Sequence, residues 1–264
     1  MKMEPPPNTH LVLIPSYNTG LRLTATVLEA RRTWPVVWVV IDGSTDGSDT
    51  DIEALATRTD GLRVLKLPRN SGKGAALLHG MLLARAAGFT HALAMDADGQ
   101  HPADEIPAFM AESARRPEAM ILGVPLFDAS APALRVRGRR ISNWWANRET
   151  GGAIGDSLFG FRVYPIEPLI GAMSETRWMR RYDFDAEAAV RLVWRGVPTV
   201  NIPAPVRYFR AEEGGISHFK YGRDNVLLTW MHIRLVLTAL FVRPGFLFRR
   251  RPAPARKTAA EIRL

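Results

Sequence analysis

The 264 residues are enough for one large α/β domain or two small ones, and the 47% hydrophobic share is that of a globular chain. There is no cysteine, which excludes disulfides, thiolate metal sites and cysteine nucleophiles. Lys and Arg number 35 against 26 acids, a net charge of +9, which asks for an anionic partner; the basic runs at 135–140, 177–181 and 248–251 carry no zinc-finger, homeodomain or RNA-recognition signature, so lipid or phosphate is expected and nucleic acid is not.

The first half alternates. LVLIP (11–15), VVWVVID (36–42), LRVLKL (62–67) and HALAMD (91–96) are apolar runs of strand length. Between and after them, helices are expected over 21–33, 49–59, 73–87 and 103–116. Continuous apolar strands separated by helices predict a mostly parallel sheet covered on both faces, an α/β fold of Rossmann-like type. In the second half the expectations are strands at 120–125, 160–164 and 198–203, with helices at 139–148 and 185–195. No repeat or linker divides the chain, so one domain is expected over 9–222. Residues 226–242 form an amphiphilic helix candidate, shorter than a bilayer requires and interrupted by His232 and Arg234. A membrane-surface helix region over 223–248 with a basic, flexible tail over 249–264 is expected; the alternative is a helix packed on the core. The N-terminus lacks the apolar run of a signal peptide. The expected place is therefore the cytoplasm, peripheral on the inner face of the cytoplasmic membrane.

Ligands of parallel sheets bind at the carboxyl ends of the strands. Three polar clusters fall there: Pro15-Ser16-Tyr17-Asn18, Asp42-Gly43-Ser44 and Asp96-Ala97-Asp98. Asp96 and Asp98 lie on one side of the chain at close range, where like charges repel unless a hard divalent cation such as Mg²⁺ or Mn²⁺ intervenes; the other reading is a solvated acidic turn. Asp42 is placed to accept from a base or ribose. An EF-hand reading of 42–53 fails because a strand, not a helix, precedes it. Lys73, in the glycine-flanked start of a helix, either meets a phosphate, fixes its loop or stands solvated. Asp156 and Arg162 either orient an acceptor and neutralise a phosphate or form a structural ion pair. The acids at 183–187 cap a helix or face the site.

As an ordered set, IPSYN (14–18), IDGSTDGS (41–48), RNSGKGAALLHG (69–80), MDADGQHPADEIP (95–107), DSLFGFRVYP (156–165) and IPAPVRYFRAEEGGISHF (202–219) resemble the family-2 glycosyltransferases of GT-A fold, among them the polyprenyl-phosphate (dolichyl-phosphate) mannose and glucose synthases. The resemblance implies an inverting transfer from a nucleotide-sugar to a lipid or lipid-phosphate acceptor. By it, Pro15, Tyr17, Asn18, Asp42, Lys73 and Asp96 belong to the donor pocket. Asp96, Asp98 and Gln100 hold the metal. Arg139 or Arg140, with Arg162, meet phosphate, and Asp98, Asp156 and Arg162 are the catalytic set. A hydroxyl acceptor in a lipid or pigment would need a base, for which Asp156, Asp183 and Asp185 are candidates. Ile41 stands where the family usually has an acid, which leaves the nucleotide base unnamed and keeps open an inactive membrane-associated partner that retains the fold. Ser217-His218-Phe219 and the Trp144-Trp145 pair depart from the family on the acceptor side.

Overall fold

The structure is a computed structural model that describes residues 9–127, 133–207 and 221–242. The expectations for Ser217-His218-Phe219, for 243–248 and for the 249–264 tail lie outside the described residues.

Seven strands form one sheet in the order β3-β2-β1-β4-β6-β5-β7. The strands are β1 (His10–Ser16), β2 (Val37–Asp42), β3 (Leu62–Leu67), β4 (His91–Ala94), β5 (Met120–Leu126), β6 (Arg162–Pro165) and β7 (Thr199–Pro205). β1 and β2 are buried at every position, as the unbroken apolar runs require of strands covered on both faces. Alternation then divides their side chains. Leu11, Leu13, Trp38 and Val40 enter one core, while Val12, Ile14, Val37 and Val39 enter the other. Edge strand β3 instead buries only Leu62 and Leu65, with Arg63 and Lys66 exposed. The β1–β2, β1–β4, β2–β3 and β5–β7 pairs are parallel. β6 runs against both of its neighbours, a reversal that a strand of four residues does not announce.

The helices are α1 (Arg22–Thr33), α2 (Ser48–Ala56), α3 (Lys73–Ala86), α4 (Ile106–Arg115), α5 (Ala133–Thr150), α6 (Ile166–Ser174), α7 (Phe184–Trp194) and α8 (Tyr221–Val242). Residues of α1, α2 and α4 join one core, and residues of α3, α5, α6, α7 and α8 join the other. Two local features differ from the sequence expectation. A 3₁₀ turn at Ala103–Glu105 precedes α4. α6 follows Pro165 and carries Pro168 in its first turn, where the missing N–H costs no helical hydrogen bond.

α8 packs on the protein. Met231, Leu235 and Ala239 are fully buried in the core, and His232 is 5% exposed. The opposite stripe is Val226, Trp230, Ile233, Leu237, Leu240 and Phe241, all exposed. Among the described residues no helix is long and apolar enough to cross a membrane.

Candidate active site

One cavity of about 1650 Å³ opens at the carboxyl edge of the sheet. Its polar end is built by the loops after β1, β2 and β4, and its other wall by α5 and α8.

The loops are pinned to each other before any ligand is considered. Asn18 sits in the left-handed region (φ 47°). Its backbone N–H donates to Ser44 Oγ (3.0 Å), and its side-chain oxygen accepts from the Thr45 N–H (2.8 Å). Ser16 and Thr19 share a hydroxyl hydrogen bond of 2.6 Å. Asp42 is 2% exposed, and its two oxygens accept the N–H groups of Ser71 and Gly72, both at 2.7 Å. Gly72 adopts φ 100°, and a Cβ there would stand 2.3 Å from the Arg180 carbonyl oxygen, so the turn into α3 requires glycine. Asp42 therefore lines the cavity while holding the start of α3 against β2. Pro15, Tyr17 and Asn18 also line it.

Lys73 lines the cavity and is ion-paired there. Its ammonium lies 2.7 Å from Asp96 Oδ1 and 2.7 Å from Asp185 Oδ2. Burial disfavours its charge, but the Asp185 and Asp96 carboxylates outweigh burial and hold the pKa above that of a free lysine. Gly160 passes against this cluster. A Cβ at that position would lie 2.5 Å from Lys73 Nζ and 3.3 Å from both Asp185 Oδ1 and Asp96 Oδ2. Asp185 Oδ1 is buried and has no hydrogen-bond partner among the described residues.

Asp96 keeps a third of its side chain exposed and lines the cavity with Asp98 and Gln100. Its pKa is lowered: burial opposes the charge, and Lys73 and then His101 overcome it. His101 is buried, and its Nδ1 accepts the Asp96 N–H (2.9 Å). Nε2 then carries the proton, 3.5 Å from Asp96 Oδ2. Burial pushes the His101 pKa down to about 4 despite the Asp96 charge, so the ring is neutral at pH 7. Asp98 is raised to about 6, by burial first and by the Asp96 charge second. Its Oδ1 accepts the Gln100 N–H (3.0 Å).

The donor set fits a divalent cation in a particular way. Lys73 compensates Asp96 from behind, whereas Asp98 is left with a like charge beside it, the repulsion that a metal relieves. Among the described residues no three His, Cys, Asp or Glu side chains group as metal ligands. Asp96, Asp98 and the Gln100 amide therefore suit a Mg²⁺ or Mn²⁺ that completes its shell with water and substrate oxygens, not an all-protein cage.

On the other wall, Asp156 is 2% exposed and fully engaged. Oδ1 accepts from Arg139 Nη1 (2.5 Å) and from the Leu158 and Phe159 N–H groups (2.9 and 2.7 Å), while Oδ2 accepts from Asn143 Nδ2 (3.0 Å). Asp156 thus holds Arg139 at the cavity and is not placed as a free base. Arg162 corrects an expectation outright. It is fully buried, is not among the cavity-lining residues, and donates to Tyr164 Oη, the Asp185 carbonyl and the Asp156 carbonyl (3.0 Å for the last). An arginine enclosed under the site by its own chain cannot reach a substrate phosphate. Arg140 is exposed and does not line the cavity either, whereas Arg139 does. Asp183 accepts the Met179 and Arg181 N–H groups, both at 3.0 Å, so it shapes the loop before α7.

Sequence reading missed Asn143, Arg137, Asn70, Arg181 and Tyr182. Arg137, Asn70, Arg181 and Tyr182 line the cavity, and Arg181 donates to Asn70 (3.3 Å) across it. Asn143 had a usable signal, since it lies one helical turn after Arg139 on the same face. Beyond Arg139 the wall turns apolar, with Ile141, Trp145, Leu158, Leu228, Val236 and Leu237.

The family model for glycosyl transferase family 2 matches residues 11–169. The polyprenol monophosphomannose synthase of Mycolicibacterium smegmatis is 28% identical over 228 residues, 80% of this chain and 81% of that protein. The undecaprenyl-phosphate mannosyltransferase of Micrococcus luteus is 25% identical over 208 residues, 73% and 81% of the two chains. Among solved structures, S. aureus TarS 1-349 in complex with UDP-GlcNAc aligns with a TM-score of 0.56 at 15% identity, over 90% of this chain and 69% of that one. A mycobacterial protein aligns at 0.59 and 19%, over 90% and 75%. At those identities the two structures share the fold. The family model spans more than half of the sequence, and it covers the strand ends that carry Asp42, Asp96 and Asp98: the chain belongs to glycosyl transferase family 2.

Proposed function

We propose that the protein transfers a sugar from a nucleotide-sugar to a polyprenyl-phosphate lipid, with inversion at the anomeric carbon. The observation that carries the reading is the two-ended cavity: a carboxylate and lysine pole at the sheet edge, and an apolar wall of α5 and α8 beginning at Arg139. The named activities of the two relatives support the same acceptor class.

In this reading the nucleotide lies over Pro15, Tyr17 and Asp42, and its diphosphate reaches Asp96 and Asp98. A bound Mg²⁺ or Mn²⁺ would supply neutralisation of the charge that builds on the departing diphosphate. Lys73 fixes the Asp96 carboxylate at the cavity through its Oδ1. Arg139, oriented by Asp156, meets the acceptor phosphate. An oxygen of that phosphate forms the new bond to the anomeric carbon as the bond to the diphosphate breaks, and an anionic oxygen needs no base. That economy favours phosphate over hydroxyl as acceptor, because donors occupy both oxygens of Asp156 and of Asp183, and Asp185 is ion-paired with Lys73.

The exposed stripe on α8 continues the apolar wall outward. Ile233 and Leu237 line the cavity and are each 46% exposed. Ile141 and Trp144 on α5 are exposed as well. Peripheral docking on a bilayer by this lip would let a prenyl chain enter the cavity from the side. The test is incubation with UDP- and GDP-sugars, Mn²⁺ and undecaprenyl phosphate in detergent, followed by solvent extraction. Sugar recovered in the lipid phase supports the reading; nucleotide-sugar turnover with no lipid product from undecaprenyl phosphate would overturn the acceptor assignment.

A further inference from the structure

We infer that His232 of α8 is a positioning residue for the acceptor phosphate, acting through a buried chain of hydrogen bonds that ends on Arg139. The inference rests on the reading of Arg139 as the guanidinium that meets that phosphate.

The chain can be followed atom by atom. His232 Nδ1 lies 3.0 Å from Glu149 Oε1, and its Nε2 lies 3.2 Å from Ser142 Oγ. Ser157 Oγ is 2.9 Å from Ser142 Oγ. The Ser157 N–H donates to Asn143 Oδ1 (2.8 Å), and Asn143 Nδ2 donates to Asp156 Oδ2 (3.0 Å). Asp156 Oδ1 then receives Arg139 Nη1. With Nδ1–H donating to Glu149, Nε2 accepts the Ser142 hydroxyl, and the single Ser157 hydroxyl proton is shared between Ser142 Oγ (2.9 Å) and Asn143 Oδ1 (2.7 Å).

The links are sheltered. Glu149 and Ser157 are fully buried, and Ser142, His232 and Asp156 are exposed by 6%, 5% and 2%. A buried polar chain is costly unless each member is satisfied, and when satisfied it specifies one geometry. Among the described residues Asn143 is the side chain that donates to Asp156 Oδ2, so it sets the rotation of the carboxylate that aims Arg139. Seating of α8 is thereby connected to the orientation of one guanidinium on α5, in the cavity that Ser142 and His232 also line.

The same helix has a second tether that lacks this connection. Arg234 donates to both oxygens of Glu187 (3.2 and 2.8 Å), and Glu187 also accepts from Arg191 (2.8 Å). None of these three lines the cavity. If α8 merely needs anchoring, the two tethers are equivalent. If His232 positions Arg139, they are not.

Isothermal calorimetry with farnesyl phosphate and with farnesol measures how far the protein prefers the phosphate. Ser142→Ala cuts the chain while leaving the His232–Glu149 contact, and His232→Ala cuts it at α8. Each is expected to lower the preference about 10-fold, the size of a lost outer-shell contact, with farnesol and nucleotide affinities unchanged. Arg234→Met is expected to leave the preference intact, and Arg139→Met to remove it. Should Arg139→Met remove the preference while Ser142→Ala leaves it whole, the inference fails and the acceptor reading stands. An intact preference in Arg139→Met, or none in the unmodified protein, overturns both. An equal loss in Arg234→Met also overturns the inference, since it marks simple anchoring.

Discussion

The two ends of the cavity are assembled by different means. The donor end is delivered by topology: Ser16 and Asp42 end parallel strands, and Asp96 stands two residues beyond a third, so the sheet that buries β1, β2 and β4 also brings their termini together. The acceptor end is delivered by side chains. Arg139 is aimed by Asp156, Asn143, Ser157 and Ser142, and the Ser142–His232 link joins residues 90 positions apart. The first arrangement survives wide variation in sequence because backbone pairing maintains it. The second depends on a few buried polar contacts, each of which one substitution can remove.

The largest expected effect belongs to the donor end. Asp98→Asn keeps the shape and removes the charge that faces the diphosphate, so the transfer rate at saturating Mn²⁺ should fall on the order of 10²–10³-fold, while urea unfolding shows no loss of stability. Undiminished turnover in this variant would remove the donor end from the mechanism.

Lys73→Met tests whether the donor end is also a structural keystone. It leaves Asp96 and Asp185 facing each other without the ammonium between them. Breaking a buried pair of this kind costs about 3 kcal/mol, which would be read as a lower urea midpoint. An unchanged midpoint would mean that the lysine is dispensable for folding.

Acid should weaken the fold. His10 and His91 stack at the amino ends of β1 and β4, their ring centroids 4.4 Å apart. Burial, with a smaller contribution from His91, lowers the His10 pKa to about 4, and His101 is also near 4. Their unfolded values lie near 6.5. As pH falls from 6.5 toward 4, the unfolded chain therefore takes up protons that the folded one refuses, and stability drops by up to about 1.4 kcal/mol per pH unit per histidine. Asp98 works in the opposite sense below about 6, because the folded protein protonates it first. Urea titrations at pH 7 and pH 5 should show a drop that His10→Gln reduces. The same drop in the variant would contradict a buried, neutral His10.

The smallest effect on folding is expected at the lip. Phe241 is 83% exposed and Ile233 46%, so Phe241→Asp with Ile233→Asp should change stability by no more than about 1 kcal/mol in total. Vesicle affinity, read by sedimentation with anionic vesicles, should nevertheless fall on the order of 10²-fold or more, since each of the two apolar side chains contributes about 1.5–3 kcal/mol when buried in lipid. Unaltered vesicle binding would separate the lip from the membrane.

This contrast also explains what the amino-acid pattern discloses. The alternation of apolar runs and helices gives the strand ends, and the strand ends give Asp42, Asp96 and Asp98 without any knowledge of tertiary structure. Lys73 is visible as a residue but not as a partner of Asp185, because 112 positions separate them. The reversal of β6 leaves Arg162 with the composition of a phosphate-binding residue and the position of a core residue. Pro168 hides α6, although proline is harmless in a first turn. On α8, one apolar stripe enters the core and another remains exposed, so the periodicity fits both a packed helix and a surface-docking one.

The central claim is that a nucleotide-sugar donor and a prenyl-phosphate acceptor meet in one cavity. The most direct measurement supplies the protein with Mn²⁺ and a panel of labelled nucleotide-sugars, offering undecaprenyl phosphate and undecaprenol in parallel. The account predicts label in the undecaprenyl-phosphate extract, none in the undecaprenol extract, and loss of the product in Asp98→Asn. Label transferred equally to the alcohol, or product formation undisturbed by Asp98→Asn, would contradict it.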